Sequence, residues 1–122
     1  MKKINVVKNS EGYNCIRMMK DVSVLELKEL CNSITNGLIE QNYNVCVTDI
    51  IINDSFVIIQ IDMFTEDSDI IGTVEFMCDN DNSEYYDLLQ NRTAVQSNVW
   101  TQEAWEEYSI KVFEDIFKML SK

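Results

Sequence analysis

A chain of 122 residues, 46% hydrophobic and 25% charged, is long enough to bury one core without disulfide or metal, and too apolar to stay disordered. Its 21 acids against 10 bases leave a net charge of −11, which excludes DNA, RNA and anionic lipid as expected direct partners. The sequence has no histidine, the commonest general base and metal ligand, and shows no signal-peptide or membrane-length apolar run. The expectation is therefore a single acidic domain over residues 1–122, cytoplasmic, non-enzymatic and without a cofactor.

Residues 3–8 and 13–19 read as short strands about a turn at residues 9–12. Ser23 and Glu26 then form a capping box, in which hydroxyl and carboxylate each accept from an otherwise unsatisfied N–H. Val22 and Leu27 flank it at the spacing of a hydrophobic staple. Leu27, Leu30, Cys31, Ile34 and Leu38 recur at steps of three and four, which predicts an amphipathic helix over residues 24–41 with Asn42 as its left-handed stop.

Residues 43–52, 55–64 and 70–78 are rich in Ile, Val and Phe and predict a β-meander. With a tight turn at Asn53 and Asp54, period-2 alternation puts Cys46, Thr48, Ile50 and Ile52 on the core face with Val57, Ile59, Ile61 and Met63. Ile70, Val74, Phe76 and Cys78 join them from the third strand. The opposite face then carries Val45, Val47, Asp49 and Ile51, then Phe56, Ile58, Gln60 and Asp62, then Ile71, Thr73, Glu75 and Met77. Residues 84–90 read as a short helix and 91–100 as irregular. Thr101 caps a last helix whose staple is Trp100 with Trp105, and whose stripe runs through Tyr108, Val112, Ile116 and Met119, widened by Phe113 and Phe117. The order is β-β-α-β-β-β-α-α. Its natural packing is a two-layer α+β domain, an antiparallel meander sheet with both long helices on one face.

Charge follows the chain unevenly. No Lys or Arg stands between Lys28 and Arg92, while 13 acids do. On the predicted sheet, Asp49, Asp62 and Glu75 share the face away from the core. Glu66, Asp67 and Asp69 fill the loop after the second meander strand, and Asp79 and Asp81 the loop after the third. These eight acids are the candidate partner-binding residues, an array of fixed negative charge beside apolar Val45, Val47, Ile51, Phe56, Ile58 and Ile71. Such a surface suits a protein with a basic surface.

Other chemistries fit the residues less well. Asp79-x-Asp81-x-Ser83 starts like a calcium loop, but Glu84 stands where glycine is needed and Gln90 where the last glutamate is needed. The cysteines Cys15, Cys31, Cys46 and Cys78 lack the short spacing of zinc ligands and any histidine to activate a thiolate, so reduced core thiols are expected. Three carboxylates on one small sheet lack the cleft that glycoside hydrolysis requires. Tyr85, Tyr86, Trp100, Trp105 and Tyr108 could stack bases in a basic protein; here core packing or a protein-binding anchor is expected.

In size, acidity and layout the chain resembles small phage or mobile-element inhibitors, including anti-CRISPR proteins and nucleic-acid mimics, and is also similar to secretion chaperones. Its Asn, Ile and Lys usage fits an AT-rich bacterial or phage genome. That resemblance implies an inhibitor or adaptor occupying a basic groove. The alternatives are a dimeric chaperone-like or toxin-immunity protein, with the apolar sheet half or Phe113 and Phe117 as a homodimer contact, and a structural subunit with no electrostatic role.

Overall fold

The computed structural model describes residues 2–52, 57–78 and 82–122, with the side chains of Val47, Thr48 and Ile52 left aside. The elements are β1 (Ile4–Lys8), β2 (Asn14–Met19), α1 (Val24–Glu40), β3 (Val45–Ile52), β4 (Val57–Phe64), β5 (Ile70–Cys78), β6 (Tyr85–Arg92) and α2 (Gln102–Leu120). All strand pairs are antiparallel, in the order β1-β2-β6-β5-β4-β3. The expected α+β meander sheet with two helices on one face is present.

Both helices start as their sequences dictate. Glu26 N–H donates to Ser23 Oγ and Ser23 N–H to Glu26 Oε1, each at 3.1 Å. Thr101 Oγ1 accepts from Ala104 N–H at 3.1 Å. Asn42, just past the end of α1, takes φ 70°, a left-handed conformation that asparagine tolerates. Leu27, Cys31, Ile34 and Leu38 bury the inner stripe of α1. On α2, Trp105, Val112, Phe113, Ile116 and Phe117 are buried, and Phe113 and Phe117 meet Phe76 edge to face at 5.4 and 5.8 Å. Tyr43 Oη donates to Asp115 Oδ2 at 2.5 Å and ties the end of α1 to α2.

Gly72 has a steric reason to be glycine. A Cβ there would stand 2.5 Å from the Trp105 ring. The indole packs closely on bare backbone, and its Nε1 donates to Thr93 O at 2.7 Å. A rigid ring can thus close the core without leaving its polar atom unsatisfied.

Three expectations are corrected. Residues 84–90 are not a helix. They lie in β6, which sits between β2 and β5 and joins the N-terminal hairpin to the meander. Leu88 is fully buried on the core side, and Asp87 is largely buried on the other. Cys46 is exposed rather than in the core, because β3 carries one extra residue between Val45, opposite Met63, and Thr48, opposite Ile61. That bulge turns Val45 inward and Cys46 outward. Ile71, expected outside, is buried against the core, while Ile70 is only partly covered. The register there shifts as well, Gly72 pairing Met63 and Ile70 pairing Phe64, with Ile71 as the extra residue.

Candidate protein-binding face

Both helices pack on one side of the sheet, and strand alternation defines the other. Asp49, Gln60, Glu75 and Asn91 form one row across β3, β4, β5 and β6, by the pairings Asp49–Gln60, Gln60–Glu75 and Glu75–Asn91. Asp62 and Thr73 form the next row toward the β4–β5 loop. Ile51, Ile58, Met77 and Leu89 form an apolar row on the opposite side of the Asp49 row. Ile51 is 41% exposed, and Ile58, Met77 and Leu89 are half-buried, as expected of a sheet face over which no described element packs.

The acids of this face are held by neutral donors. Thr73 Oγ1 donates to Asp62 Oδ1 at 2.8 Å. Gln60 Nε2 donates to Glu75 Oε1 and Asn91 Nδ2 to Glu75 Oε2, each at 3.2 Å. Asp49 is exposed. Among the described residues none of Asp49, Asp62 and Glu75 makes an ion pair; the pairs present are Lys3 with Asp21 and Glu26, Arg17 with Asp87, and Arg92 with Glu106. The side chains around Asp62 and Glu75 therefore orient their charge without cancelling it.

Glu66, Asp67 and Asp69 are exposed in the β4–β5 loop. The loop is closed by Thr65 N–H to Asp69 O at 2.9 Å and Asp69 N–H to Thr65 Oγ1 at 3.1 Å, with Ser68 at φ 69°. They extend the acidic region beyond Asp62 at one end of the sheet. Asp79 and Asp81 lie outside the described residues, so the calcium-like run and its place in the array do too.

The other half of the face differs. Arg17 on β2 reaches Asp87 on β6 through two hydrogen bonds, Nε to Oδ1 at 2.8 Å and Nη2 to Oδ2 at 3.0 Å. Those bonds raise the guanidinium above its ordinary pKa. The same guanidinium lies 3.9 Å from the Tyr85 ring centre, and Lys20 Nζ lies 5.0 Å from that of Tyr86. Sequence reasoning missed this cluster, because reading residues 84–90 as a helix hid the strand that pairs Asp87 with Arg17.

The remaining candidates have structural roles. Trp105 is fully buried, and Trp100 and Tyr108 pack edge to face at 5.0 Å. Phe113 and Phe117 are buried within the chain and do not form an open contact face. The cysteines form no disulfide, and burial pushes the Cys31 thiol up to about 11, where it is no nucleophile at neutral pH. Among the described residues no three acids or cysteines gather as a metal site, and no helix is long and apolar enough to cross a membrane. A cleft of about 780 Å³ lies between the β1–β2 turn, the end of β6 and α2, away from Asp49 and Asp62. Comparison with protein-family models, with curated proteins and with solved structures gave no match.

Proposed function

We propose that the protein is a non-enzymatic inhibitor or adaptor that binds a basic protein surface through the open face of β3, β4 and β5. The observation that carries this reading is the row Ile51, Ile58, Met77 and Leu89 beside Asp49, Asp62 and Glu75, whose charge no described cation cancels. An apolar strip bordered by fixed like charges gives a cationic partner both buried area and electrostatic complementarity. Nucleic acid is the usual occupant of basic grooves. A surface of this sign repels nucleic acid itself and competes with it for such a groove. The four cysteines without a disulfide suit a reducing cytoplasm as the place of action.

Affinity chromatography on the immobilised protein tests the reading, with Asp62→Lys/Glu75→Lys as the matched control. A basic protein should be retained by the wild type, be released by added salt or duplex DNA, and be lost from the variant. A partner held equally by both proteins, or one indifferent to salt, would refute electrostatic recognition on this face.

A further inference from the structure

The two edges of the sheet are unlike. The β1 edge is five residues long, ends in Lys8 and follows Lys2 and Lys3. Lysines at an edge discourage a foreign strand from adding to it. The β3 edge has the sequence Val-Cys-Val-Thr-Asp-Ile-Ile-Ile, with Asp49 its single charge and no lysine. It is last in the sheet order, and among the described residues no backbone hydrogen bond reaches it from its outer side. The bulge disturbs its beginning, but residues 48–52 pair regularly with residues 57–61. An open, regular, β-branched run is thus left among the strands that carry no cation, β3, β4 and β5.

We infer that β3 accepts an extended basic segment of the partner as a seventh strand beside residues 48–52. The inference rests on the proposed binding function and specifies its geometry. Backbone hydrogen bonds to the free N–H and C=O groups of β3 would supply affinity. Register would come from the outer face. A Lys or Arg opposite Asp49 continues the polar row, and an apolar residue two positions away, opposite Ile51, continues the row Ile51–Ile58–Met77–Leu89. The segment sought is therefore one whose outer-face positions alternate basic and apolar, so that a Lys or Arg and an apolar residue stand two positions apart. A second copy of this chain fits less well. It would bring its own Asp49 to the edge, and each copy carries a net charge of −11.

The probe is a short peptide repeating Lys-Thr-Val-Thr, which sets Lys and Val two positions apart on one face, compared with the same peptide N-methylated on every backbone nitrogen so that neither edge can donate. The charge is identical in both, but only the first can complete a ladder. The unmodified peptide should bind at low salt and slow amide exchange along β3. N-methylation should weaken it about tenfold or more. Ile51→Lys, a change at an exposed position, should weaken the unmodified peptide to a similar degree while the thermal midpoint holds. Equal binding of both peptides without protection of β3 would overturn the strand addition and leave the electrostatic reading standing. Failure of both peptides to bind at low salt would sink both. Sedimentation as a dimer whose β3 amides are protected without peptide would replace the basic segment by a second copy.

Discussion

Arg17 and Asp87 on β2 and β6, and Asp62 and Glu75 on β4 and β5, stand on the same side of one sheet but are held in opposite ways. The first two carry opposite charges, meet through two hydrogen bonds and cover one another from solvent. The second two carry the same charge and are oriented by Thr73, Gln60 and Asn91, none of which bears charge. Ionic groups paired within the fold contribute to folding. Those left uncancelled contribute little to folding and set the external field. On this view the difference between the two halves belongs to the outer face alone, and each substitution below probes one side of it.

The largest expected effect comes from the core that both halves share. Trp105→Ala removes the ring packed on Gly72 and orphans Thr93 O, at a cost of about 3–5 kcal/mol. Denaturant unfolding followed by alkylation of Cys15 on β2 and of Cys31 on α1, which packs against β3, should report one common midpoint that moves together. Two separated midpoints would mean that the halves also differ in their folding. Next comes Asp87→Ala. It strips Arg17 of its partner, and because Arg17 is about one third exposed, the loss should be about 1.5–3 kcal/mol rather than that of a fully buried pair. A loss near zero in chemical denaturation would erase the contrast.

How much of this was legible beforehand depends on how local each cause is. Ser23 and Glu26, and Thr101, act within one helical turn, and the sequence alone placed both helices. Asp49, Asp62 and Glu75 were placed on one face by period-2 alternation, which the register keeps for all three. β6 was missed because residues 84–90 mix charged and leucine residues that tolerate a helix. A central slot between β2 and β5, with Arg17 waiting for Asp87, overrides that preference. The faces of Cys46 and Ile71 were misread because each adjoins a bulge, and one inserted residue reverses the sides around it. Neutral donors holding Asp62 and Glu75 were invisible for the same reason as the Arg17–Asp87 pair, since partners distant in sequence are set by register.

A smaller effect is expected at the start of α1, the helix behind the cation-free strands. Ser23→Ala should cost about 1 kcal/mol, measured by thermal melting at neutral pH. The hydrogen bond from Ser23 N–H lowers the Glu26 carboxyl below its ordinary value of 4.5. Because the folded value is the lower one, the contribution of Glu26 is present above pH 4.5 and is lost as pH falls through the folded value. The stability gap between wild type and Glu26→Gln should accordingly close in acid. A gap that widened in acid would reverse the assigned sign.

The smallest change in stability, within about 0.5 kcal/mol, is expected for Asp62→Asn combined with Glu75→Gln. The amide at position 62 keeps an acceptor for Thr73 Oγ1. The amide at position 75 keeps one acceptor for Gln60 or Asn91, while its new NH2 can donate to the other once that side chain's amide turns over, so the local hydrogen bonds can be remade. Two like charges disappear from three strands, β3, β4 and β5, that carry no cation, which relieves repulsion and should move the melting point slightly upward, most visibly at low salt. The same pair of substitutions should weaken binding of the lysine-containing peptide. Opposite signs for folding and for binding are expected only if the acids act on something outside the chain. If the double variant melts well below the wild type, Asp62 and Glu75 support the fold as Arg17 and Asp87 do, and the two halves of the face are alike after all.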